Sequence, residues 1–176
     1  GNNNYGQCGN GKSDPKKGHK ETLPVQVKGM SGAVAVSGSA NHGCAIHGAK
    51  QNVSCWGHNN YGQLGDGTTK DSLSPVAAKG LDKVIAISSS DVSAPNQTIT
   101  LSHTCALKSD GTVWCWGSNN SGKLGDGTQI NRSKPAQVKG VSDAIAIAAG
   151  GYHTCALKSD KRVLCWGGHD RGQKGD

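Results

Sequence analysis

Apolar residues along this chain come in short runs separated by stretches rich in glycine, asparagine and serine. Runs of four to seven residues bounded by such turn formers predict β-strands rather than helices. Four kinds of run recur in a constant order. Val25-Gln26-Val27-Lys28, Val76-Ala77-Ala78-Lys79 and Ala136-Gln137-Val138-Lys139 each follow a proline. Proline has no N–H for a ladder, so this pattern predicts edge strands that begin there. Ala33-Val34-Ala35-Val36, Val84-Ile85-Ala86-Ile87 and Ala144-Ile145-Ala146-Ile147 are continuous and made of small or β-branched residues. Such runs predict strands buried on both faces. The last two strands of each set form a hairpin, as in His103-Thr104-Cys105-Ala106-Leu107-Lys108 and Thr112-Val113-Trp114-Cys115-Trp116 around Ser109-Asp110-Gly111.

A type I turn closed by a left-handed Gly111 places Lys108 opposite Thr112 and thereby sets the register. Counting back, Leu107 faces Val113, Ala106 faces Trp114 and Cys105 faces Cys115. The same count opposes Cys155 and Cys165, with Lys161 in the place of the turn glycine. Cys44 and Cys55 flank a loop one residue longer, which leaves their register open. Opposed cysteines on an antiparallel pair lie within disulfide range, roughly 4.5 Å between Cα atoms, so three bridges are the leading reading. The rival is a metal site, since His42, His103 and His153 each stand two residues before a first cysteine. Structural zinc sites, however, use Cys-x-x-Cys knuckles and a fourth ligand, and no metal ligands are assigned. Three bridges imply an oxidising compartment, hence a secreted or cell-surface protein.

The loops after the hairpins repeat as well. Gly57-His58-Asn59-Asn60-Tyr61-Gly62-Gln63-Leu64-Gly65-Asp66-Gly67-Thr68 returns as Gly117-Ser118-Asn119-Asn120-Ser121-Gly122-Lys123-Leu124-Gly125-Asp126-Gly127-Thr128. Degraded copies begin at Gly1 and Gly167, and Cys-Trp-Gly precedes three of the four copies. An insertion at residues 91–100 lengthens one period; without it the period is about 50 residues. This divides the chain into repeats 1–56, 57–116 and 117–166, with 167–176 opening a further one.

The unit His-Thr-Cys-Ala-Leu-Lys-Ser-Asp-Gly-Thr-Val-Trp-Cys-Trp-Gly, followed by Gly-x-Asn-Asn-x-Gly-x-Leu-Gly-Asp-Gly-Thr, resembles the regulator of chromosome condensation repeat in its cysteine-bearing, secreted form. The resemblance implies an all-β fold of four-stranded antiparallel β-propeller blades. About three blades and the start of another would form an arc of a seven-bladed ring, with the alanine-rich strands lining a central channel. It also implies that Leu64 and Leu124 fill the space between blades, and that Trp56, Trp116 and Trp166 serve blade packing. Members of the family include a nuclear exchange factor for a small GTPase, a plant ultraviolet receptor and a secreted β-lactamase inhibitor. All present loops to protein partners. The paired cysteines and the lack of an arginine-rich loop argue against the nuclear role, and Trp114 alone is too little for a light-sensing cluster.

Composition narrows the reading further. Nineteen basic and twelve acidic residues give a net charge of +7, but only three of the basic residues are arginine. Guanidinium-based reading of nucleic acid is therefore poorly provided for, and nucleic acid is not the expected partner. No apolar run approaches the roughly 20 residues of a membrane span. The first residues lack an initiator methionine and the pattern of a signal peptide, which suggests a processed or excised piece. No catalytic constellation or phosphate loop can be assembled, and no cofactor is expected.

Departures from the repeat are candidate binding loops. They are the loop 10–23 with Lys12, Lys16, Lys17 and Lys20, and the insertion with Asp91 and Asn96. Asn52, Asn96, Asn119 and Asn131 begin glycosylation sequons. Cys8, in the leucine position of Gly-Gln-Leu-Gly, is the odd cysteine, suited either to an intermolecular bond or to filling that site as a thiol. The expected function is a non-catalytic extracellular module that binds a protein or surface glycan through its loops. The alternative is a structural protein whose copies stack into a ring or filament.

Overall fold

A computed structural model describes residues 1–13, 18–93 and 100–168 of the 176. Its elements, in chain order, are β1 (Ala33–Gly38), β2 (His42–His47), β3 (Asn52–Gly57), β4 (Ser72–Ala77), β5 (Val84–Ser93), β6 (Thr100–Lys108), β7 (Val113–Gly117), β8 (Arg132–Gln137), β9 (Ala144–Ala149), β10 (His153–Lys158) and β11 (Val163–Gly167). They form two four-stranded sheets, β1-β2-β3-β4 and β5-β6-β7-β8, and one of three strands, β9-β10-β11. All pairings are antiparallel. The first strands of successive sheets lie beside one another, β1 against β5 and β5 against β9. This is an arc of propeller blades.

The predicted hairpin registers hold. Cys105 pairs with Cys115, Ala106 with Trp114 and Leu107 with Val113. Cys155 pairs with Cys165, and in the longer-looped first hairpin Cys44 pairs with Cys55. Gly111 sits at φ +80°, as the turn requires, and Lys161 is forced to φ +72° in the same place. A side chain in the left-handed region is strained by roughly 1 kcal/mol. Lys161→Gly is therefore expected to stabilise the protein by about 0.5 to 1 kcal/mol, net of the extra freedom glycine adds to the unfolded chain. A denaturant midpoint that falls instead of rising would refute this.

Two expectations are corrected. The alanine-rich strands are not buried on both faces: Val34 is 71% exposed, Val36 73%, Ile85 48% and Ile145 47%. Register slips between Ala33 and Ala35, and again between Val84 and Ala86, leaving Val34 and Ile85 as bulged residues. Ile145 occupies the same place in β9. A bulge turns its extra side chain out of the layer, while Val36, regularly paired with Ala45, is exposed without one. The prolines, moreover, do not start their strands. Pro75 and Pro135 lie inside β4 and β8, where the ladder is interrupted between Cys55 and Gly57 and between Cys115 and Gly117. Because β4 and β8 are outermost, the missing N–H costs no ladder bond.

The outermost strand of each four-stranded sheet comes from the repeat after the one that supplies the other three. Repeat edges therefore fall inside sheets. The matching segment 25–28 forms no strand among the described residues, because no third strand lies beside it.

Apolar side chains gather in the two layers between sheets. Cys44, Ile46, Val53, Cys55 and Leu64 meet Val84, Ala106 and Trp116 in the first. Cys105, Leu107, Val113, Cys115 and Leu124 meet Ala144 and Ala156 in the second. The Cys44–Cys55 and Cys105–Cys115 disulfides thus belong to the layers that face the following sheet.

Candidate interaction face

The loops after β3 and β7 are each organised by one asparagine. Asn59, fully buried, donates its amide to Lys70 O at 3.0 Å and to Thr68 O at 3.3 Å, and accepts the Leu64 N–H at 2.9 Å. Asn119 repeats this with Ile130 O at 3.1 Å, Thr128 O at 3.0 Å and the Leu124 N–H at 2.9 Å. Asn3 accepts the Cys8 N–H at 2.9 Å in the same way. The hub aims residue 64 or 124 into the layer between sheets, where both leucines have no exposed surface. The next residue must be glycine. Gly65 has φ +75°, and a Cβ there would lie 2.8 Å from Trp116 Nε1 of the following sheet. That indole donates to Gln63 O at 2.8 Å, as Trp166 does to Lys123 O at 3.0 Å and Trp56 to Gln7 O at 2.9 Å. The tryptophans thus serve blade packing, as expected.

Toward one end of the arc the layers become polar. His42 Nε2 lies 2.9 Å from Thr104 Oγ1 of the next sheet, and His103 Nε2 lies 2.9 Å from Thr154 Oγ1. Each threonine hydroxyl donates onward, to Gln63 O at 3.1 Å and to Lys123 O at 2.9 Å. Having spent its proton, the threonine oxygen accepts, so Nε2 carries a proton in both rings. Burial holds His103 well below the ordinary histidine range. His42 and His103 therefore stitch sheet to sheet, and His42 also holds the β1–β2 turn, its Nδ1 lying 2.7 Å from Ser39 Oγ. The cysteines beside them are oxidised to disulfides at 44–55, 105–115 and 155–165, so they are not available as thiolate ligands.

Asp91, from the insertion, joins this polar layer. Its carboxylate accepts the Asn41 N–H at 2.7 Å and stands 3.4 Å from His42 Nδ1, with 4% of its side chain exposed. Burial alone would raise its pKa, but His42 and the Asn41 N–H hold it at about 2. Asp91 is thus a buried tie to the first sheet and not an exposed binding residue. On the other side, Val92 packs against Gly151 of the third sheet, leaving no room for a Cβ there. The insertion extends the β5–β6 ladder through Ser90–His103, Asp91–Ser102, Val92–Leu101 and Ser93–Thr100. Its base is wedged between both neighbouring sheets.

Lys123 replaces Gln63 of the preceding repeat. Its Nζ, 1% of the residue being exposed, donates to Gly151 O at 3.1 Å and Leu101 O at 3.3 Å. Burial lowers its pKa to about 8, with Asp91 opposing the shift. A lysine whose folded pKa lies below its unfolded value of 10.5 penalises the fold while charged, so stability should rise as pH climbs from about 8 to 10.5. The difference amounts to about 2 to 3 kcal/mol. Lys123→Gln, which restores the residue found at position 63, is expected to remove that rise. Parallel pH-dependent slopes for the two proteins in chemical denaturation would refute the assignment.

The other predicted positions divide. Lys12 and Lys20 are exposed, and Lys20 is held by a bridge to Asn2. His19 and Asn10 converge on Glu21 at 2.9 and 2.6 Å. Lys16, Lys17 and Asn96 lie outside the described residues. Asn119, the hub of its loop, is fully buried and cannot carry a glycan in the folded state, which corrects that expectation. Asn52 is half-buried, and Asn131 is exposed with its Oδ1 accepting the Asn119 N–H at 2.7 Å. Cys8 is a free, half-buried thiol bordering an open cleft of about 430 Å³ lined by Gly1, Glu21, Leu23, Pro24 and Val25. Sequence reasoning missed the threonine partners and the burial of Asp91 and Lys123. The only signal for the first was the recurring His-Thr-Cys, and for the others there was none.

Comparison with known proteins agrees with this geometry. The family model described as "Regulator of chromosome condensation (RCC1) repeat" matches residues 1–46, 52–92 and 110–157, and a second model of that description matches 144–173. The human E3 ubiquitin-protein ligase HERC2 is 30% identical over 146 residues, covering 77% of this chain and 3% of its own length. The ultraviolet-B receptor UVR8 of Arabidopsis thaliana is 28% identical over 138 residues, 76% of this chain and 28% of its own. Among solved structures, human WBSCR16 superposes with a TM-score of 0.77 at 24% identity over 95% of this chain and 41% of its own. Prp20p of Saccharomyces cerevisiae gives 0.69 at 20% over 95% and 40%. The chain thus spans a small part of the curated relatives it matches. With its repeated hub loops, inter-sheet tryptophans and paired cysteines, it belongs to the regulator of chromosome condensation repeat family.

Proposed function

We propose that this chain is a non-catalytic interaction module of an oxidising, extracytoplasmic compartment, which engages a protein partner through the end of the arc that carries the β5–β6 hairpin. The observation that carries this reading is the wedge at the hairpin's base. Asp91 ties it to the first sheet and Val92 abuts Gly151 of the third, so the base of the insertion is rigidly mounted. The three disulfides support the compartment. His42, Thr104, His103, Thr154 and Asp91 are engaged in joining sheets, which favours binding over chemistry. Among family relatives, Prp20p is described with binding properties to Gsp1p and histones, a precedent for protein partners.

The test replaces residues 94–99 by a two-residue turn and compares capture of proteins from secreted material of the source. Loss of a partner retained by the unaltered chain supports the reading, and equal capture by both chains overturns it. Thiol labelling under denaturing, non-reducing conditions tests the compartment: protein taken from its source should label at one cysteine, whereas seven labelled cysteines would refute the oxidised state.

A further inference from the structure

We infer that the outer rim between the first two sheets is a binding site for a sulfated polysaccharide, held by the ammonium groups of Lys79 and Lys134. The site is built on Gly67, whose N–H donates to Ser133 O at 2.8 Å. Lys79 Nζ stands 3.3 Å, and Lys134 Cε 3.0 Å, from the position a Cβ on that glycine would take. Two cationic side chains, one just after β4 and one inside β8, thus lie side by side over one bare stretch of backbone. Both sheets at this junction have their four strands. The lysine recurs along the rim: Lys28 Nζ is 3.6 Å from the Cβ position of Gly11, and Lys139 Nζ 3.0 Å from that of Gly127. With no Cβ in the way, each lysine stem lies against its glycine, and this ordering lowers the entropy cost of seating an anion.

The charge on this rim is unpaired. Among the described residues no ion pair includes Lys28, Lys79, Lys134 or Lys139. At the hairpin turns the opposite holds: Lys108 pairs with Asp82 at 3.0 Å, Lys158 with Asp143 at 3.3 Å and Arg162 with Asp160 at 2.7 Å. Asp66, beside Gly67, is engaged within its own loop, where both its oxygens accept from Thr68. Two like charges held together without a carboxylate repel until an anion bridges them. The cations also select the anion. An ammonium is a point charge with three donors in free directions, suited to a tetrahedral sulfate, whereas planar bases and carboxylates are better met by the guanidinium fork. The arginine of β8, Arg132, is committed to Asp126 at 2.7 Å. Lysines repeating one sheet apart call for a ligand with charge at intervals along an extended chain, as a sulfated polysaccharide has. The preference for polysaccharide over nucleic acid rests on the extracytoplasmic compartment proposed above; the placement of the lysines does not.

The probe is heparin, titrated calorimetrically at about 0.15 M salt. The unaltered chain should bind it, and the double variant Lys79→Gln with Lys134→Gln should bind at least about tenfold more weakly, with a shallower salt dependence. A second double variant, Lys50→Gln with Lys83→Gln, removes the same two charges at the β2–β3 turn, where Lys83 N–H donates to Lys50 O, and should lose less than about twofold. All four side chains are exposed, so both folds should survive, as circular dichroism would verify. No binding by the unaltered chain, no loss in the rim variant, or equal losses in the two variants would each overturn the inference. So would a DNA duplex or polyglutamate held as tightly as heparin and weakened as much by the rim substitutions, since the site would then not select a sulfated chain. Neither pair touches residues 91–100 or a cysteine, so partner capture by the hairpin and thiol labelling report on the proposed function independently.

Discussion

Full reduction of the three disulfides is expected to abolish cooperative folding at neutral pH. Each closes a loop of 10 or 11 residues. On the chain-entropy model such a loop contributes about 2.5 to 3 kcal/mol, so three together approach the 5 to 15 kcal/mol by which a typical domain is stable. The bridges also lie where little else would serve. The chain has no phenylalanine, and Cys44, Cys55, Cys105 and Cys115 themselves occupy the inter-sheet layers. Circular dichroism and thermal melting with and without a strong reductant would check this. A reduced protein that still melts sharply, within a few degrees of the oxidised one, would show that packing alone suffices.

Asn119→Ala should cost about 3 kcal/mol or more. The substitution leaves Thr128 O, Ile130 O and the buried Leu124 N–H without their partner. Each such group carries a penalty of about 1 to 3 kcal/mol when unsatisfied, although losses within one network do not simply add. Leu124 would also lose the anchor that holds it between the second and third sheets. Asn119→Asp keeps the acceptor for Leu124 but surrenders both donors and places a charge beside Asp126, so it should not rescue stability. Urea denaturation reads the result, and a loss below about 1 kcal/mol for the alanine variant would mean that the loop closes without its hub.

Much of this was legible in the residues because the repeat is dense in local rules. A turn of Ser-Asp-Gly fixes a hairpin register by counting, and the count placed Cys105 against Cys115 and Cys155 against Cys165. Leu64, Leu124 and the three repeating tryptophans were readable from position in the motif. The errors share a cause. Continuous apolar runs in β1, β5 and β9 looked doubly buried, yet a bulge at Val34 and Ile85 turns side chains outward. A bulge depends on neighbouring strands and leaves no mark in composition. Asp91 looked like an exposed loop charge because its partners, Asn41 and His42, are 50 residues away in the chain. Asn119 looked like a glycosylation site because a sequon says nothing about what its amide already binds.

By itself the amino-acid sequence determined the strand order within each repeat, the registers of the second and third hairpins with their cysteine pairs, and the family. Each follows from spacing along a short stretch of chain, where turn geometry leaves one choice. Only the tertiary structure decided which repeat completes which sheet, that histidine and threonine join neighbouring sheets, and that Asp91 and Lys123 are buried. These are relations between segments tens of residues apart, and they are set by how twisted sheets stack face to face, where burial depends on the adjoining layer rather than on the residue itself.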